Sequence, residues 1–315
     1  MASNTEKVTP KVLFATLAKD VSEYCDTVKS SFELFQRLLP DAQIAIYENN
    51  SVDSTKEFLQ KWSSANPRVH AEMEYYDDDY FKKMCLGRDI YNNPSRPECT
   101  AWARNKLMEI IESPKYDDIT HVVMFDFNTL HPLPVQNIYN TLTKMDKEYD
   151  AIICNAIDAN GAIVDGYSMR TLDHMFGPEV IGDMFWHESY MRALRRNFGY
   201  KDELVPVLSG FNGLCIFKKE SIKGLRYSGV PTTAMDMFYR LECDNFVLKS
   251  STTYAGIPLG MYCFPNKSVF YSNNSGYNYP VVNPHTTFFL EMKKRGNDKV
   301  FVYPKFLWRR YTHVL

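Results

Sequence analysis

The stretch "VVMFDFNTLHP", residues 122–132, decides the fold. Its four leading apolar residues predict a buried strand, which runs into Asp126 and Asn128 before a proline-containing loop. Side chains two positions apart on a strand point to the same face of the sheet. Asp126 and Asn128 could therefore hold one cation between them. A turn or a helix cap is the alternative, because Asp and Asn favour both.

Strand and helix patterns alternate on both sides of this stretch. Apolar runs predict strands at 11–18, 42–49, 68–75, 121–127 and 149–158. Amphipathic patterns predict helices at 25–40, 54–62, 98–113 and 135–145, with a polar, poorly periodic stretch at 77–96. This alternation predicts an α/β fold, in which a mostly parallel central sheet has helices on both faces.

The second half of the chain is less regular. Residues 159–203 have an irregular and helical character, a strand is predicted at 213–219, and a mostly helical segment at 231–251. A strand-like run follows at 256–265. The sequence from Asn266 onwards has little periodicity, and its C-terminal "WRRYTHVL" is predicted to be a solvated tail.

Composition excludes several classes of protein. The 315 residues are 45% hydrophobic and 23% charged, which predicts an ordinary packed core. A formal net charge of −2 argues against a nucleic-acid partner. No apolar run reaches about 18 residues, so no transmembrane segment is predicted, and the short apolar run near the N-terminus predicts a core strand instead of a signal peptide.

Seven cysteines are scattered along the chain without a C-x-x-C pair. Three of them, Cys154, Cys215 and Cys263, lie in apolar runs that are predicted to be strands. Reduced, buried thiols are therefore expected, and with them a cytosol-like compartment.

Polar residues at the ends of the predicted strands are the first candidates for a ligand site, because ligands of open α/β sheets bind beyond the carboxyl ends of the strands. Thr16 and Leu17 end the first strand, where a hydroxyl and exposed backbone could meet a nucleotide. Glu48 and Asn50 end the second strand and could face a base or a ribose diol. A helix cap is the structural alternative for the residues that follow.

Three further segments carry candidates. Arg104 could reach a diphosphate with its fork of donors, or could lie on a solvated helix face. Gly210 belongs to a small turn, "LSGFNG", where glycine allows close approach to the backbone, although a simple tight turn is the alternative. Glu242 and Asp244 would not share a helix face, so one is expected in a cleft and the other in a structural or solvated position.

A metal site is predicted around the strand that ends at Asp126. A diphosphate leaving group needs its charge neutralised, and Mn²⁺ or Mg²⁺ held by hard oxygens does this with only one or two protein ligands. Asp126 and Asn128 are the predicted ligands, and the softened Asp-x-Asn form predicts an affinity that depends on the nucleotide. His285, in "NPHTTF", is a candidate third ligand, with an ordinary loop residue as the alternative.

Seven segments, in order, resemble the fungal capsule-associated mannosyltransferase family, typified by the cryptococcal α-1,3-mannosyltransferase. They are "IYENNSVDSTKEFLQKW", "ARNKLMEII", "VVMFDFN", "YDAIICNAID", "IVDGYSMR", "VPVLSGFNGLCIF" and "ECDNF", and the resemblance extends roughly from Val12 to Leu248. Because no membrane anchor is predicted, the chain resembles soluble relatives encoded by large DNA viruses of algae. This implies a soluble protein in the host cytoplasm.

The resemblance implies a GT-A glycosyltransferase in a single domain, residues 1–315. About 10–158 would form the nucleotide-sugar-binding half and about 159–315 the acceptor-side half. It also implies GDP-mannose as the donor, a glycan or glycoprotein as the acceptor, Mn²⁺ or Mg²⁺ as the cofactor, and transfer with retention of anomeric configuration.

Matched position by position, the resemblance assigns site residues as well. It places Thr16, Glu48, Asn50 and Arg104 at the nucleotide, Asp126 at the metal, and Asp165 and Arg170 near the donor sugar. Asn212 falls in the family's Trp-Asn-Gly turn, and Glu242 in its Glu-Cys pair. The chain departs from the family at Phe125, where Asn is usual, and at Asp244, where a second Cys is frequent.

Two other functions are considered. A sugar-nucleotide-forming nucleotidyltransferase needs a glycine-rich loop directly after the first strand, and "FATLAKDVS", residues 14–22, contains no glycine. A non-catalytic carbohydrate- or nucleotide-binding protein on a decayed fold is suggested by the softened metal motif. For an enzyme, the residues do not choose between a retaining route, in which the departing phosphate takes the acceptor proton, and an inverting route with a carboxylate base.

Overall fold

A computed structural model describes most of the chain. The described residues are 9–145, 147–158, 161, 163–172, 175, 177, 198–199, 203–249, 253–254, 257–258 and 281–310. At 242–249, 253–254 and 257–258 the description covers the backbone alone.

Strands and helices alternate along these residues. The strands are β1 (Val12–Ala18), β2 (Gln43–Asn49), β3 (Val69–Glu74), β4 (His121–Phe125), β5 (Ala151–Ile157), β6 (Val205–Pro206), β7 (Leu214–Lys218), β8 (Thr253–Tyr254), β9 (Ile257–Pro258) and β10 (Val300–Arg309). The helices are α1 (Cys25–Leu38), α2 (Thr55–Ala65), α3 (Asp78–Met84), α4 (Arg96–Ile111), α5 (Val135–Lys144), α6 (Lys219–Ile222), α7 (Thr233–Lys249) and α8 (Pro284–Lys294). Short 3₁₀ turns occupy Ser22–Tyr24 and Pro114–Tyr116.

Within the described residues, one sheet has the strand order β3-β2-β1-β4-β7-β5-β10-β6, and β8 pairs separately with β9. Strands β3, β2, β1 and β4 are parallel, as are β5 and β10. Strand β7 runs antiparallel between β4 and β5, and β6 runs antiparallel to β10. The predicted α/β fold with a mostly parallel central sheet is confirmed.

Each face of the sheet carries its own hydrophobic core. On β1, Phe14 faces a core with α1, where its ring meets those of Phe32 and Phe35 edge to face. Its neighbour Leu13 faces the opposite core, which includes Met108 of α4 and residues of α8. Because both faces are covered, the strands are apolar throughout and not alternating, which is the pattern the sequence shows. The predicted helices on both faces are confirmed.

Most predicted elements end within two residues of their observed bounds, but three elements were not predicted and one prediction is wrong. The polar stretch at 77–96 contains helix α3, whose N-cap Asp77 accepts a hydrogen bond from the backbone N–H of Tyr80. The region from Asn266 contains helix α8 and the long strand β10. The predicted solvated tail is wrong for Trp308 and Arg310, which are both buried. The predicted strand at 256–265 includes β9, and its remaining residues, Cys263 among them, lie outside the described residues.

The state of the cysteines and the composition of the helices complete the description of the fold. Cys25, Cys85, Cys99, Cys154 and Cys215 carry free thiols, and Cys154 and Cys215 lie in β5 and β7, as predicted. Among the described helices, none combines the length and the apolar composition that crossing a bilayer requires.

Candidate active site

The carboxyl ends of β1, β2 and β4 lie side by side, because these strands are parallel neighbours. A cavity of about 230 Å³ lies at the ends of β1 and β4. Five of the predicted site residues line it together: Thr16, Leu17, Arg104, Asp126 and Asn128. The structure therefore brings residues from three separate motifs to one place.

A larger cavity of about 600 Å³ adjoins the first and shares Leu17, Lys19, Arg96 and Thr100 with it. Its lining extends to Asn49, at the end of β2. Lys19 and Arg96 were not predicted as site residues. Lys19 follows directly on β1, so the strand-end rule that selected Thr16 could have found it.

The end of β1 is fixed to the end of β4 by a side chain. Thr16 is buried, and its hydroxyl donates a hydrogen bond of 2.7 Å to the carbonyl of Phe125. That hydroxyl, predicted to meet a nucleotide, thus holds together the two strand ends that frame the cavity. Leu17 is half-buried and lines both cavities.

Glu48 and Asn50 hold the loop after β2, and neither lines the two cavities. Glu48 is fully buried, and its carboxylate accepts a 2.7 Å hydrogen bond from the backbone N–H of Ser51. Asn50 has a left-handed backbone, φ +60°, and its amide both donates to the carbonyl of Tyr76 and accepts from its N–H. Asn50 therefore fastens the loop to the segment after β3.

The guanidinium of Arg104 contacts two aromatic rings. It lies 5.7 Å from the ring centre of Phe211 and 5.5 Å from that of Tyr227. Both distances are in the range of cation–π contacts. Tyr227 is itself fixed to α4, because Asn105 exchanges two hydrogen bonds with its backbone. The half-buried guanidinium is thus oriented before any ligand arrives.

Asp126 and Asn128, the predicted metal ligands, lie just beyond the end of β4, and both contact the guanidinium of Arg310. Nη1 of Arg310 lies 2.7 Å from Oδ2 of Asp126. Nη2 of the same guanidinium donates to the side-chain oxygen of Asn128 at 2.8 Å and to its carbonyl at 3.0 Å. One planar group therefore bridges both predicted metal ligands. No local sequence pattern points to Arg310, since its partners lie far away along the chain.

Three contacts place the Arg310 guanidinium there. Its backbone N–H donates to the carbonyl of Ile157 at 2.9 Å, and its guanidinium lies 5.4 Å from the ring centre of Trp308. Gly213 has φ +82°, and a Cβ at this position would lie 2.4 Å from Nη1. The glycine therefore makes room for the guanidinium. Its carbonyl also accepts from the N–H of Asp126 at 2.9 Å.

Asn212 fixes the segment that carries Asp165. It is fully buried, accepts hydrogen bonds of 3.1 Å from the N–H groups of Val164 and Asp165, and donates to two carbonyls at the end of β5. Burial raises the pKa of the Asp165 carboxyl above its usual value, the negative charge of Asp126 adds to this, and Arg104 opposes it. Asp165 is thus electrostatically coupled to two residues that line the cavity.

Three further predicted residues, His285, Arg170 and Gly210, lie outside the lining of both cavities. His285 is buried at the start of α8, with its ring stacked 4.0 Å from that of Phe211, and burial lowers its pKa, so the ring is neutral. Arg170 is buried and donates to the carbonyls of Tyr167 and Met169. Gly210 packs on Met169, because a Cβ would lie 2.7 Å from its sulfur.

Glu242 and Asp244, the predicted catalytic pair, lie within helix α7. Their side chains are outside the described part of the structure. The helix bounds agree with the prediction that this segment is mostly helical.

A divalent ion chelated by Asp126, Asn128 and His285 does not fit this arrangement. The guanidinium of Arg310 occupies the position between the first two residues, and His285 does not line the cavity. Across the described residues, no three His, Cys, Asp or Glu side chains come close enough together to hold an ion. Asp126 keeps its second oxygen, Oδ1, outside the contact with Arg310.

Comparisons with known proteins identify the family of the chain. Residues 11–248 match the family model described as Cryptococcal mannosyltransferase 1. Comparison with curated protein sequences finds no match.

Similar solved structures include the mannosyltransferase PcManGT from Pyrobaculum calidifontis in complex with GDP-Man and Mn²⁺ (11% identity, 75% of this chain and 53% of that chain, TM-score 0.39). They also include S. aureus TarS 1-349 (9%, 69% and 50%, TM-score 0.38) and glucosyl-3-phosphoglycerate synthase from Mycobacterium tuberculosis (16%, 76% and 65%, TM-score 0.37). The chain thus spans half to two thirds of the length of these proteins. Since the family model covers well over half of the 315 residues, the chain belongs to the Cryptococcal mannosyltransferase 1 family, a family of glycosyltransferases.

Proposed function

We propose that this chain transfers mannose from GDP-mannose to a sugar hydroxyl, on a GT-A fold. The observation that carries the proposal is the cavity at the ends of β1 and β4, which Lys19, Arg96, Arg104 and Asp126 line in a chain of the mannosyltransferase family. Three cationic side chains suit the negative charge of a nucleoside diphosphate. The position agrees with the general location of ligands in open α/β sheets.

In this proposal, the two adjoining cavities bind different parts of the donor. The smaller one, with Arg104 and Asp126, takes the diphosphate and the sugar. The larger one takes the nucleoside, and Asn49 supplies an amide there. The choice of guanine and of mannose is supported by the family alone.

The proposed chemistry begins with departure of the diphosphate. Negative charge develops on the leaving group while positive charge develops on the sugar. Arg104 stabilises the leaving group, and its contacts with the Phe211 and Tyr227 rings hold it at the cavity as the charge develops. Asp165 is proposed to lie near the donor sugar.

Retention is the proposed stereochemical outcome, with the departing phosphate taking the acceptor proton. Glu242, or Asp244 as second choice, is proposed to orient the acceptor or to stabilise the sugar cation. An inverting route would instead need one of these carboxylates as the base.

Mn²⁺ or Mg²⁺ stays in the proposal as an ion that would enter with the donor. Its chemistry would be to neutralise the diphosphate, and Asp126 keeps Oδ1 for such an ion. No step of the transfer is assigned to it. The single-domain division, the glycan or glycoprotein acceptor, the cytoplasmic location and the viral source stay predictions from the sequence.

A donor screen tests the proposal. The protein is incubated with GDP-mannose, other GDP-sugars and UDP-sugars, with a mannoside acceptor, in the presence of Mn²⁺, Mg²⁺ or a chelator. Release of nucleoside diphosphate is expected to be fastest from GDP-mannose. Release from UDP-sugars alone would contradict GDP-mannose as the donor. No release of nucleoside diphosphate under any condition would favour the non-catalytic alternative. The product is expected to be an α-mannoside by NMR, and a β-mannoside would refute retention.

A pair of arginine variants tests the cavity. Arg104→Gln removes the charge that faces the leaving group and is expected to lower kcat/KM about 10²-fold. Arg68→Gln is the matched control, because Arg68 pairs with Asp41 in an exposed salt bridge away from both cavities. Equal activities of the two variants would place the donor elsewhere.

A further inference from the structure

Arg310 occupies the place that the sequence predicts for a metal ion. Its two terminal nitrogens reach one oxygen of Asp126 and one of Asn128, at 2.7 and 2.8 Å. Both residues lie just beyond the end of β4, which stops at Phe125. Bidentate contacts of this kind match the fork of donors that only arginine offers.

The guanidinium is built into the fold and is not a loose surface group. The Arg310 side chain is 4% exposed, whereas that of Asp126 is 32% exposed. Trp308 stacks near it, Gly213 leaves the space for it, and its backbone is joined to Ile157 at the end of β5. A buried guanidinium without its carboxylate would be an unpaired buried charge, which is strongly destabilising.

A divalent ion would compete with this group for the same oxygens. The ion would also lie within a few ångströms of a positive charge in a poorly solvated place, where repulsion is strong. Mg²⁺ and Mn²⁺ need several oxygen ligands to compensate for lost water, and here one oxygen of Asp126 and that of Asn128 are already used.

We propose that Arg310 is the resident cation of the Asp126–Asn128 pair and that it excludes a divalent ion from the position between them in the nucleotide-free protein. Arg310 thereby acts as a positioning residue: it holds Oδ2 of Asp126, while Oδ1 lies outside this ion pair. The inference refines the metal position of the proposed function and rests on that function for the choice of Mn²⁺ as the probe.

The test is Mn²⁺ binding to the nucleotide-free protein, measured from the EPR signal of the free aqueous ion. Four proteins are compared: wild type, Asp126→Asn, Arg310→Met and the double variant. Wild type and Asp126→Asn are expected to bind Mn²⁺ alike. Arg310→Met keeps the apolar stem beside Trp308 but removes the charge, so it is expected to bind Mn²⁺ at least about tenfold more tightly than wild type. The double variant is expected to bind Mn²⁺ no more tightly than wild type does.

Arg310→Lys is the conservative control, because it retains a positive charge and is expected to behave as wild type. Mn²⁺ binding by wild type that a folded Asp126→Asn protein lacks would overturn the inference, and so would an Arg310→Met protein that folds and gains no Asp126-dependent binding. If Arg310→Met fails to fold, Arg310→Gln, which also removes the charge, replaces it in the comparison, and near-UV circular dichroism verifies that every variant compared is folded. No nucleotide is present, so an inactive donor screen leaves this result unaffected, and an Asp126-dependent site in wild type would leave the proposed mannosyl transfer intact.

Discussion

At the scale of single residues, Asn212 and Gly213 fix both carboxylates near the cavity. They take consecutive left-handed conformations, with φ of +52° and +82°. Asn212 holds the backbone of Asp165, while the Gly213 carbonyl accepts from Asp126 and its missing Cβ admits Arg310. The glycine-rich turn does allow a close approach, and within the described residues the approaching group at Gly213 is a side chain of the chain itself.

Gly213→Ala tests that explanation. The added methyl group would both strain a backbone at φ +82° and meet Nη1 of Arg310. Gly296→Ala is the matched control, because Gly296 has φ +87° and no atom within 4 Å of its Cβ position. The control is expected to lower the free energy of unfolding by about 1 kcal/mol. Gly213→Ala is expected to lower it by about 1–3 kcal/mol more, since crowding adds to strain. Urea unfolding measures both, and equal losses would mean that the guanidinium does not need this space.

At the scale of elements, β4 carries a histidine that affects stability at its start and leads to a residue of the candidate site at its end. It starts at His121, ends next to Asp126, and lies between β1 and β7 at the middle of the sheet. His121 pairs in register with Lys218. Burial, aided by the charge of Lys218, lowers the pKa of His121 from 6.5 to about 4.

The lowered pKa of His121 predicts that the free energy of unfolding falls in acid. Between pH 6.5 and about pH 4 the unfolded chain takes up a proton on His121 that the folded chain does not. The contribution of His121 is therefore fully present above its unfolded pKa and is lost as the pH falls through that range. His121→Gln removes this term, so between about pH 7.5 and pH 4.5 the variant is expected to lose about 2–3 kcal/mol less free energy of unfolding than wild type. Urea unfolding at both pH values measures the difference, and parallel losses would contradict the assignment.

The elements also show which parts of the fold the sequence could predict. The strands and helices of the first half have local signals, because covered parallel strands are apolar runs and their helices are amphipathic. Strand β10 has no such signal. Its aromatic residues Phe301, Tyr303, Phe306 and Trp308 all pack against the same core, although their spacing breaks the alternation of a regular strand. The strand contains Pro304 and shifts register between Tyr303 and Leu307.

The candidate site also contains some residues that the sequence could predict and others that it could not. Asp126, Asn128 and Arg104 could be predicted because strand ends and helix faces are local features. Arg310 could not, since its contact with Asp126 depends on a strand pairing between β10 and β5 that brings together distant parts of the sequence. Glu48 and Asn50 have the right residue types at a strand end, but tertiary contacts use their polar atoms to hold a loop.

At the scale of the whole molecule, β10 joins the C-terminal part of the described chain to both the sheet and the site. It lies between β5 and β6, and its last residues also contact the segment around α5. Trp308 donates to the carbonyl of Pro132 at 3.0 Å, and Asn137 donates to the carbonyl of Leu307 at 2.9 Å. The cavity at the ends of β1 and β4 is therefore supported by residues from near both limits of the described chain.

Truncation tests this dependence on β10. A chain that stops after Lys299 loses four buried apolar side chains of the strand: Val300, Val302, Phe306 and Trp308. Each buried side chain of this size contributes about 1.5–3 kcal/mol, so together they contribute about 6–12 kcal/mol. That range is comparable with the whole free energy of unfolding of an ordinary domain, about 5–15 kcal/mol. The shortened chain is therefore expected not to fold.

A chain that stops after Arg310 is the control, because it keeps every described contact of β10. Near-UV circular dichroism and resistance to limited proteolysis measure folding of both chains, and only the longer one is expected to show a cooperative urea transition. A folded, cooperative 1–299 chain would mean that the sheet closes without β10. In that case Arg310 would reach Asp126 from an appended strand, and the charge at Asp126 could be changed without disturbing the fold. If the short chain does not fold, the strand that completes the sheet is also the one that delivers the guanidinium, so the charge at Asp126 is fixed by folding itself.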